Sequence, residues 1–368
     1  MEKKDTKFIK GDFSMKKLLV IAAAVLLLVP MGMFAQGAQE TEGPQKLEVR
    51  LASAEGAADT DFMTVWAEKF GDFMREETDG MFDITVYPYG TVGDTRDIVE
   101  LVQYGVMEFV FTDYGWLSSF VSQVNALALH YVWPKENIAE VLEHVVRNGD
   151  FFPMMDEKFR RNDLVPLGIY FEGWQWLTSK TPVGGPSDLV GLKTRIMPSD
   201  MLSRNYRAYG IDPTPLAYGE IYSGLQTGLI DAQSQPMFAN YTMGFYEVTD
   251  YFVQLWAEPF LGIPVVNLAF YESLSDEYRD LIHEFWDQAI VDSAEWIMDV
   301  NADMRAQIET NRPSIQFSEF TDEQQAHLRE QIVNNVYPVF PQIGGPDSEQ
   351  MLEALQQDIE NAMAALGM

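Results

Sequence analysis

The stretch "GEIYSGLQTGLIDAQSQP", Gly219 to Pro236, decides how the rest of the chain is read. Ile221, Leu225 and Leu229 recur at the interval that lines one face of an α-helix. Gly228 interrupts in the manner of a helix C-cap, and the strand that follows turns polar at its end, through Gln233 and Gln235 to Pro236. A core element that ends in side-chain amides has reached either the surface or the wall of a cavity that holds something polar. The same form occurs earlier in "IVELVQYGVMEFVFTD", where Gln103, Gly105 and Glu108 match Gln226, Gly228 and Asp231. Any helix–glycine–strand unit has this form, so two readings stay open: coincidence, or two similar lobes whose strand ends face each other over a cleft. Ligands of open α/β sheets sit at the carboxyl ends of strands.

Outward from these units, strand and helix patterns alternate. "KLEVRLAS", "MFDITVYP" and "VMEFVFTD" read as strands, separated by helical patterns from Asp59 or Asp61 onward and in "GDTRDIVELVQYG". A second series follows, with "LVPLGIYF" and "LKTRIM" as strands and "DMLSRNYRAYG" as a helix. "TMGFYEVTDYFVQLWAEPF" and "GIPVVNLAFYE" read as a helix with flanking strands. From Ser275, helical periodicity runs for about nine turns, long against ordinary helices. A strand "SIQFSEF" and two helices close the chain, with Thr321–Gln324 and Asp347–Gln350 spaced as capping boxes. The alternation argues for α/β units with mainly parallel pairing.

The chain has 368 residues, enough for two domains or one large one, and a net charge of -31 from 56 acidic and 25 basic residues. A nucleic-acid partner needs a basic footprint, and an anionic membrane surface disfavours this charge. There are no cysteines, which removes disulfides, thiolate nucleophiles and Cys-bearing zinc sites. Met15-Lys16-Lys17 followed by "LLVIAAAVLLLV" and small residues near Ala35 and Gly37 has the pattern of a secretory signal peptide. Residues 1–37 are therefore read as a signal peptide with an upstream extension, cleaved after Ala35 or Gly37, with an uncleaved anchor as the alternative. No cysteine is available for a lipid anchor. Loss of residues 1–35 removes six lysines and three acids and leaves a charge of -34.

A search for catalytic motifs finds no Gly-x-Ser-x-Gly elbow, no phosphate-binding glycine loop and no His-Glu-x-x-His. The four histidines, His130, His144, His283 and His327, share no metal-ligand spacing. Most acid pairs in so acidic a chain are solvated faces, though acids can come together in space. No cofactor, no metal and no enzymatic activity is expected. Arg195 in "GLKTRIM" stands out: it is either an edge residue reaching solvent or a planar fork that receives a carboxylate. Aromatic residues crowd the same regions, in "FEGWQW" (Phe171, Trp174, Trp176), "TDYGW" (Tyr114, Trp116), "LHYVW" (Tyr131, Trp133) and "LAYGE" (Tyr218). Core packing accounts for most aromatics, but small-ligand pockets are built from such walls and a few placed polar groups.

"GLKTRIMPSDMLSRNYRAYGIDPTPLAYGEIYSGLQTGLIDAQSQPMFANYTMGFYEVTDYF" resembles the core of the solute-binding proteins of TRAP (tripartite ATP-independent periplasmic) transporters. "VYPYGTVGDTRDIVELVQYGVMEF", the "TSK…DLVGLK" approach and the long late helix add to the likeness, which runs over about residues 46–335. The resemblance implies an α/β, two-lobed periplasmic-binding-protein fold with mixed, mainly parallel sheets, hinge strands and a long lobe-spanning helix. It implies lobe I over 46–172 plus 258–300, lobe II over 173–257 plus 301–340, a polar leader at 38–45 and a C-terminal helix at 341–368. It implies capture of a small organic carboxylate between the lobes and delivery to a membrane permease, in the periplasm. The partners implied are the solute and the permease, with a periplasmic helper protein as a further candidate and a monomer expected, a dimer being the alternative.

Residue by residue, Arg195 falls on the family's carboxylate anchor and Tyr218 on an aromatic that packs on the ligand. Gln175 stands where the family often has a second arginine, Gln235 where "GQENP" has asparagine, and His130 where proline is common. The expected site is Arg195, Gln175, Gln235, Tyr218 and Trp174 from one lobe, with Trp116, Tyr114, Tyr131 and Glu55 from the other; Gln233 is a further candidate. A carboxylate with one guanidinium needs other donors or a less ionic guest. Rival readings are a sensory subunit that reports a solute to a receptor and a carrier of a lipid-like ligand.

Overall fold

The computed structural model describes residues 46–368. The signal-peptide and leader readings lie outside the described residues. Along the chain the strands are β1 (Leu47–Ser53), β2 (Phe82–Tyr87), β3 (Phe109–Asp113), β4 (Leu164–Pro166), β5 (Tyr170–Ser179), β6 (Lys193–Ile196), β7 (Asp212–Pro215), β8 (Ala232–Gln235), β9 (Tyr251–Asn267) and β10 (Gln316–Glu319). They lie in the order β2-β1-β3-β9-β5-β8-β6-β7, with β4 and β10 also on β9.

The pairing falls into two groups joined by β5 and β9. In the first, β1 pairs in parallel with β2 and β3, and the C-terminal part of β9 runs antiparallel to β3 and β4. In the second, β6 pairs in parallel with β7 and β8, while the N-terminal part of β9 takes β10 in parallel. β5 runs antiparallel to β9 along both groups, with irregularities between Phe171 and Gly173 and between Trp174 and Trp176. The sheet is therefore mixed: parallel inside each half, antiparallel where the two crossing strands meet. This is a two-lobed α/β fold.

One buried apolar cluster runs through both halves, with two smaller clusters in the second. Helix Phe62–Glu77 buries Phe62, Met63, Trp66, Ala67, Phe70 and Met74, three or four residues apart, against the first group of strands. The long helix Asp276–Asn311 starts at Ser275, whose side chain accepts from the Tyr278 amide, and carries Asp276 and Glu277 in its first turn. Its 36 residues span about 54 Å. It buries Ile282, Trp286, Ile290, Ala294 and Ile297 along one stripe and then Ile308 further on. Between them Asn301 donates to the Glu172 carbonyl at 3.1 Å and accepts from the Phe238 amide at 3.0 Å, fixing the helix to β5 at the crossing.

The opening stretch forms helix Ile221–Thr227 and strand β8, with Gly228 left-handed at φ 76 as the C-cap. Gly105, its counterpart, has φ 69. A Cβ at Gly228 would meet no atom within 4 Å, so only the backbone conformation opposes a side chain there. Gly228→Ala is expected to cost about 1 kcal/mol in urea unfolding, with the slope unchanged.

Four local readings are corrected. Leu229 is not a third core residue of the helix; it follows the cap and is 54% exposed. "LVPLGIYF" is two strands, broken after Pro166 where Gly168 takes φ 155. The segment read as a helix with flanking strands contains only a single helical turn, Phe245–Glu247, and then one strand of 17 residues, β9, because its apolar residues are buried on both faces. Asp347 does not close a capping box: it is left-handed, and its carboxylate accepts from Lys158 Nζ at 2.6 Å. The Thr321–Gln324 box forms as spaced.

Candidate functional site

The C-terminal ends of four strands converge on one hollow. β1 runs out into Ala54 and Glu55, β3 ends at Asp113, β6 carries Arg195 before Met197, and β8 ends at Gln235. Trp116, Tyr218, Phe260, Met63 and Thr95 complete the wall, around about 20 Å³ of space. Both units of the sequence echo thus deliver their strand ends, Asp113 and Gln235, to the same hollow. The two halves touch around it: Tyr89 and Tyr218 meet edge to face at 5.8 Å, and the Ser199 hydroxyl donates to Asn125 Oδ1 at 3.0 Å.

Strand alternation places Arg195 here, between inward-packed Thr194 and Ile196 on the opposite face of β6. The side chain is 2% exposed. Its Nε–H donates to the Leu216 carbonyl at 3.0 Å, and among the described residues its two terminal nitrogens make no hydrogen bond. Burial lowers its pKa to about 10, with Asp113 acting in the opposite direction, so it stays charged at neutral pH. Asp113 accepts from the Gly115 and Trp116 amides at 2.8 and 3.1 Å, capping the short helix Tyr114–Leu117 that carries Trp116. Burial pushes Asp113 up to about 6, against those amides and the nearby guanidinium.

The predicted site residues divide between three places. Arg195, Gln235, Tyr218, Trp116 and Glu55 meet in the hollow. Gln175 faces a neighbouring hollow with His130, Tyr206, Tyr209 and Glu258, and its Oε1 is buried without a partner. Tyr114 is fully buried, its hydroxyl on the Glu258 carboxylate, which also lies 3.0 Å from His130 Nε2. Tyr131 lies beyond, donating to the Leu255 carbonyl at 3.1 Å. Trp174 points to the outer side of the crossing strands, where it lines a separate cavity of about 680 Å³ with Trp176 and Trp256. Alternation along β5 explains the split: Trp174 and Trp176 share one face and Gln175 takes the other. Gln233 is fully buried and donates to Thr178 and Asn240 at 2.6 and 2.7 Å, a structural role.

Asp113, Met197 and Phe260 went unnamed in the sequence reading. Asp113 had a signal: it lies one residue past the position that matches Gln235 in the repeated unit. Among the described residues no group of three or more His, Asp or Glu side chains is set to hold a metal, and no helix is long and apolar enough to cross a membrane.

The description "Bacterial extracellular solute-binding protein, family 7" matches residues 53–340. The chain belongs to that family. Family members of this kind serve TRAP transporters, binding small solutes for membrane permease subunits. The ectoine/5-hydroxyectoine-binding periplasmic protein UehA of Ruegeria pomeroyi is 30% identical over 302 residues, 82% of this chain and 87% of the relative. The sialic acid-binding periplasmic protein SiaP of Vibrio cholerae is 26% identical over 222 residues, 59% of this chain and 67% of the relative. The solved periplasmic ectoine-binding protein of the TeaABC TRAP transporter of Halomonas elongata superposes with a TM-score of 0.80 at 28% identity, covering 86% of this chain and 100% of that one.

Proposed function

We propose that this family 7 protein captures a small organic acid in the hollow between its halves, with Arg195 as the carboxylate anchor, and delivers it to its permease. The observation that carries this is the buried Arg195 fork, its two terminal nitrogens unbonded and facing a space enclosed by both halves. Two parallel N–H···O bonds to one carboxylate suit that geometry. Gln235 supplies a further polar contact, and Trp116 and Tyr218 the apolar walls. About 20 Å³ holds no organic acid, so the halves must separate to admit one and close on contacts from both sides.

We assign residues 46–172 with 258–300 to one lobe and 173–257 with 301–340 to the other, with the C-terminal helix from 341 onward packed on helices Ile138–Arg147 and Phe151–Arg160. β9 and the long helix pass between them. A monomer suffices for this design, since every residue named comes from one chain; a helper protein is not required by it. Delivery in the periplasm follows from the family's role.

The test is ligand-induced stabilisation. Ectoine, a C4-dicarboxylate, sialic acid and 2,3-diketo-L-gulonate are offered to the mature protein, followed by the amide or ester of whichever stabilises it. At 100-fold excess over Kd the bound acid is expected to add about 2.7 kcal/mol, a rise of several degrees in melting temperature. The carboxyl-blocked analogue is expected to add none; equal stabilisation by it removes the anchor.

A further inference from the structure

Glu172 on β5 is fully buried, and neither of its carboxyl oxygens accepts a bond from any N–H or hydroxyl donor among the described residues. Gly262 on β9 leaves it room: a Cβ there would stand 2.1 Å from Glu172 Oε1 and 2.8 Å from the Phe111 ring. An ionised carboxylate so placed has its full desolvation cost and no compensating donor. Its contact is another acid. Glu55 is the acid beside it, and two neighbouring buried carboxyls, one of them without any donor, cannot both ionise, so the pair keeps a proton. Glu55 in turn accepts from the Met63 amide at 2.7 Å and lines the hollow beside Arg195.

The other charged and titratable groups facing this pair are Asp61, Asp113, Tyr218 and Arg195. Asp61 is raised by burial, as are Glu55 and Glu172, the latter two also by neighbouring acids. Four carboxyl groups therefore gather around Glu55, and Asp113 is the one that acts on the Arg195 guanidinium. Arg195 with Asp113 accounts for one balanced pair; the Glu55–Glu172 pair is left to carry its own proton.

We propose that the proton shared by Glu55 and Glu172 is exchanged for a cationic group of the guest, so that capture is proton-linked and selects a zwitterion over a plain organic acid. Glu172 acts as a positioning residue: it touches Glu55, not the hollow. As the guest arrives, its positive group takes the place of the proton beside Glu55, and that proton passes to water. This rests on the reading above, in which Arg195 holds the carboxylate end.

Two measurements test it, and the first needs no ligand. In the infrared spectrum at pH 7, a protonated-carboxyl C=O stretch is expected in the wild-type protein and expected to be lost in Glu172→Gln; absence in the wild type overturns the shared proton. Ligand-free stability changes with it. A carboxyl whose folded pKa is raised contributes fully below the unfolded value, about 4.5, and that contribution is lost as pH rises through the folded value, so urea-unfolding stability falls from pH 5 to 8 and falls less in Glu172→Gln. The second measurement is calorimetry of the mature protein with ectoine and with succinate, in buffers of different ionisation enthalpy. Ectoine is expected to bind at pH 7 with release of up to one proton and to tighten by up to about tenfold per pH unit toward pH 8. Glu172→Gln is expected to bind it with that release and pH dependence removed. Ectoine binding without proton release, tighter binding of succinate, or no binding of ectoine overturns the selectivity, whereas loss of the carboxylate anchor shows separately as unchanged affinity in Arg195→Ala.

Discussion

Arg195→Ala is expected to weaken binding of the carboxylate guest by about 100- to 1,000-fold, read by calorimetry on the mature protein. Truncating one partner of a buried, hydrogen-bonded charge pair costs about 2–5 kcal/mol, much of it from stranding the other charge. Here two charges are stranded, the guest's carboxylate and Asp113, which is already pushed up to about 6 by burial even with the guanidinium nearby. Removing the cation takes away the influence that opposes that rise. Arg195→Lys keeps the charge and loses the fork, and is expected to fall between the two. Affinity unchanged in the alanine variant would leave the hollow without an anchor.

Trp286→Ala is expected to be the most destabilising single change, about 3–5 kcal/mol in urea unfolding. Trp286 is completely buried on the long helix, with ring centres of Phe70, Phe111, Tyr170 and Phe285 between 5.1 and 5.3 Å away. Its carbonyl accepts the Tyr170 hydroxyl at 2.5 Å. Removing the indole opens a void between the helix, β3 and β5 that a close-packed interior cannot refill. Trp286→Phe keeps most of that packing and removes an indole N–H that has no partner, so it is expected to cost less than half as much. Equal losses in the two variants would place the energy elsewhere than in ring volume.

The parts of the fold that local pattern controls are legible in the sequence. Gly228 and Gly105 mark two helix ends because only the left-handed backbone continues into β8 and β3. Ser275 and the periodicity after it announce the long helix. What escaped was decided by distant partners. β9 reads as interrupted because Glu258, Pro259 and Gly262 break its apolar run, yet the strand continues, with Trp256 at φ 51. The site shows the same division. Gln235 ends its strand in a repeated unit, Arg195 stands one residue before the end of β6, and both reach the hollow. Gln175 and Trp174 neighbour the right residues in sequence, but strand alternation sends them to other faces. Glu172 carries no local mark, because an acid between Phe171 and Gly173 looks like an edge position until Gly262 is seen beside it.

The placement of β9 has a consequence for how the molecule comes to be folded. Asp113 pairs with Gly262 and Leu164 with Asn267, so the first half of the sheet lacks its neighbour until almost three-quarters of the chain is present. Non-local closure of this kind is slow, because the intervening segment must be organised before the pairing repays its entropy. A chain emerging from the ribosome therefore has no early, self-sufficient N-terminal unit to lock it into shape. Members of a periplasmic binding family cross a bilayer before they work, and a delay of this kind keeps such a chain threadable.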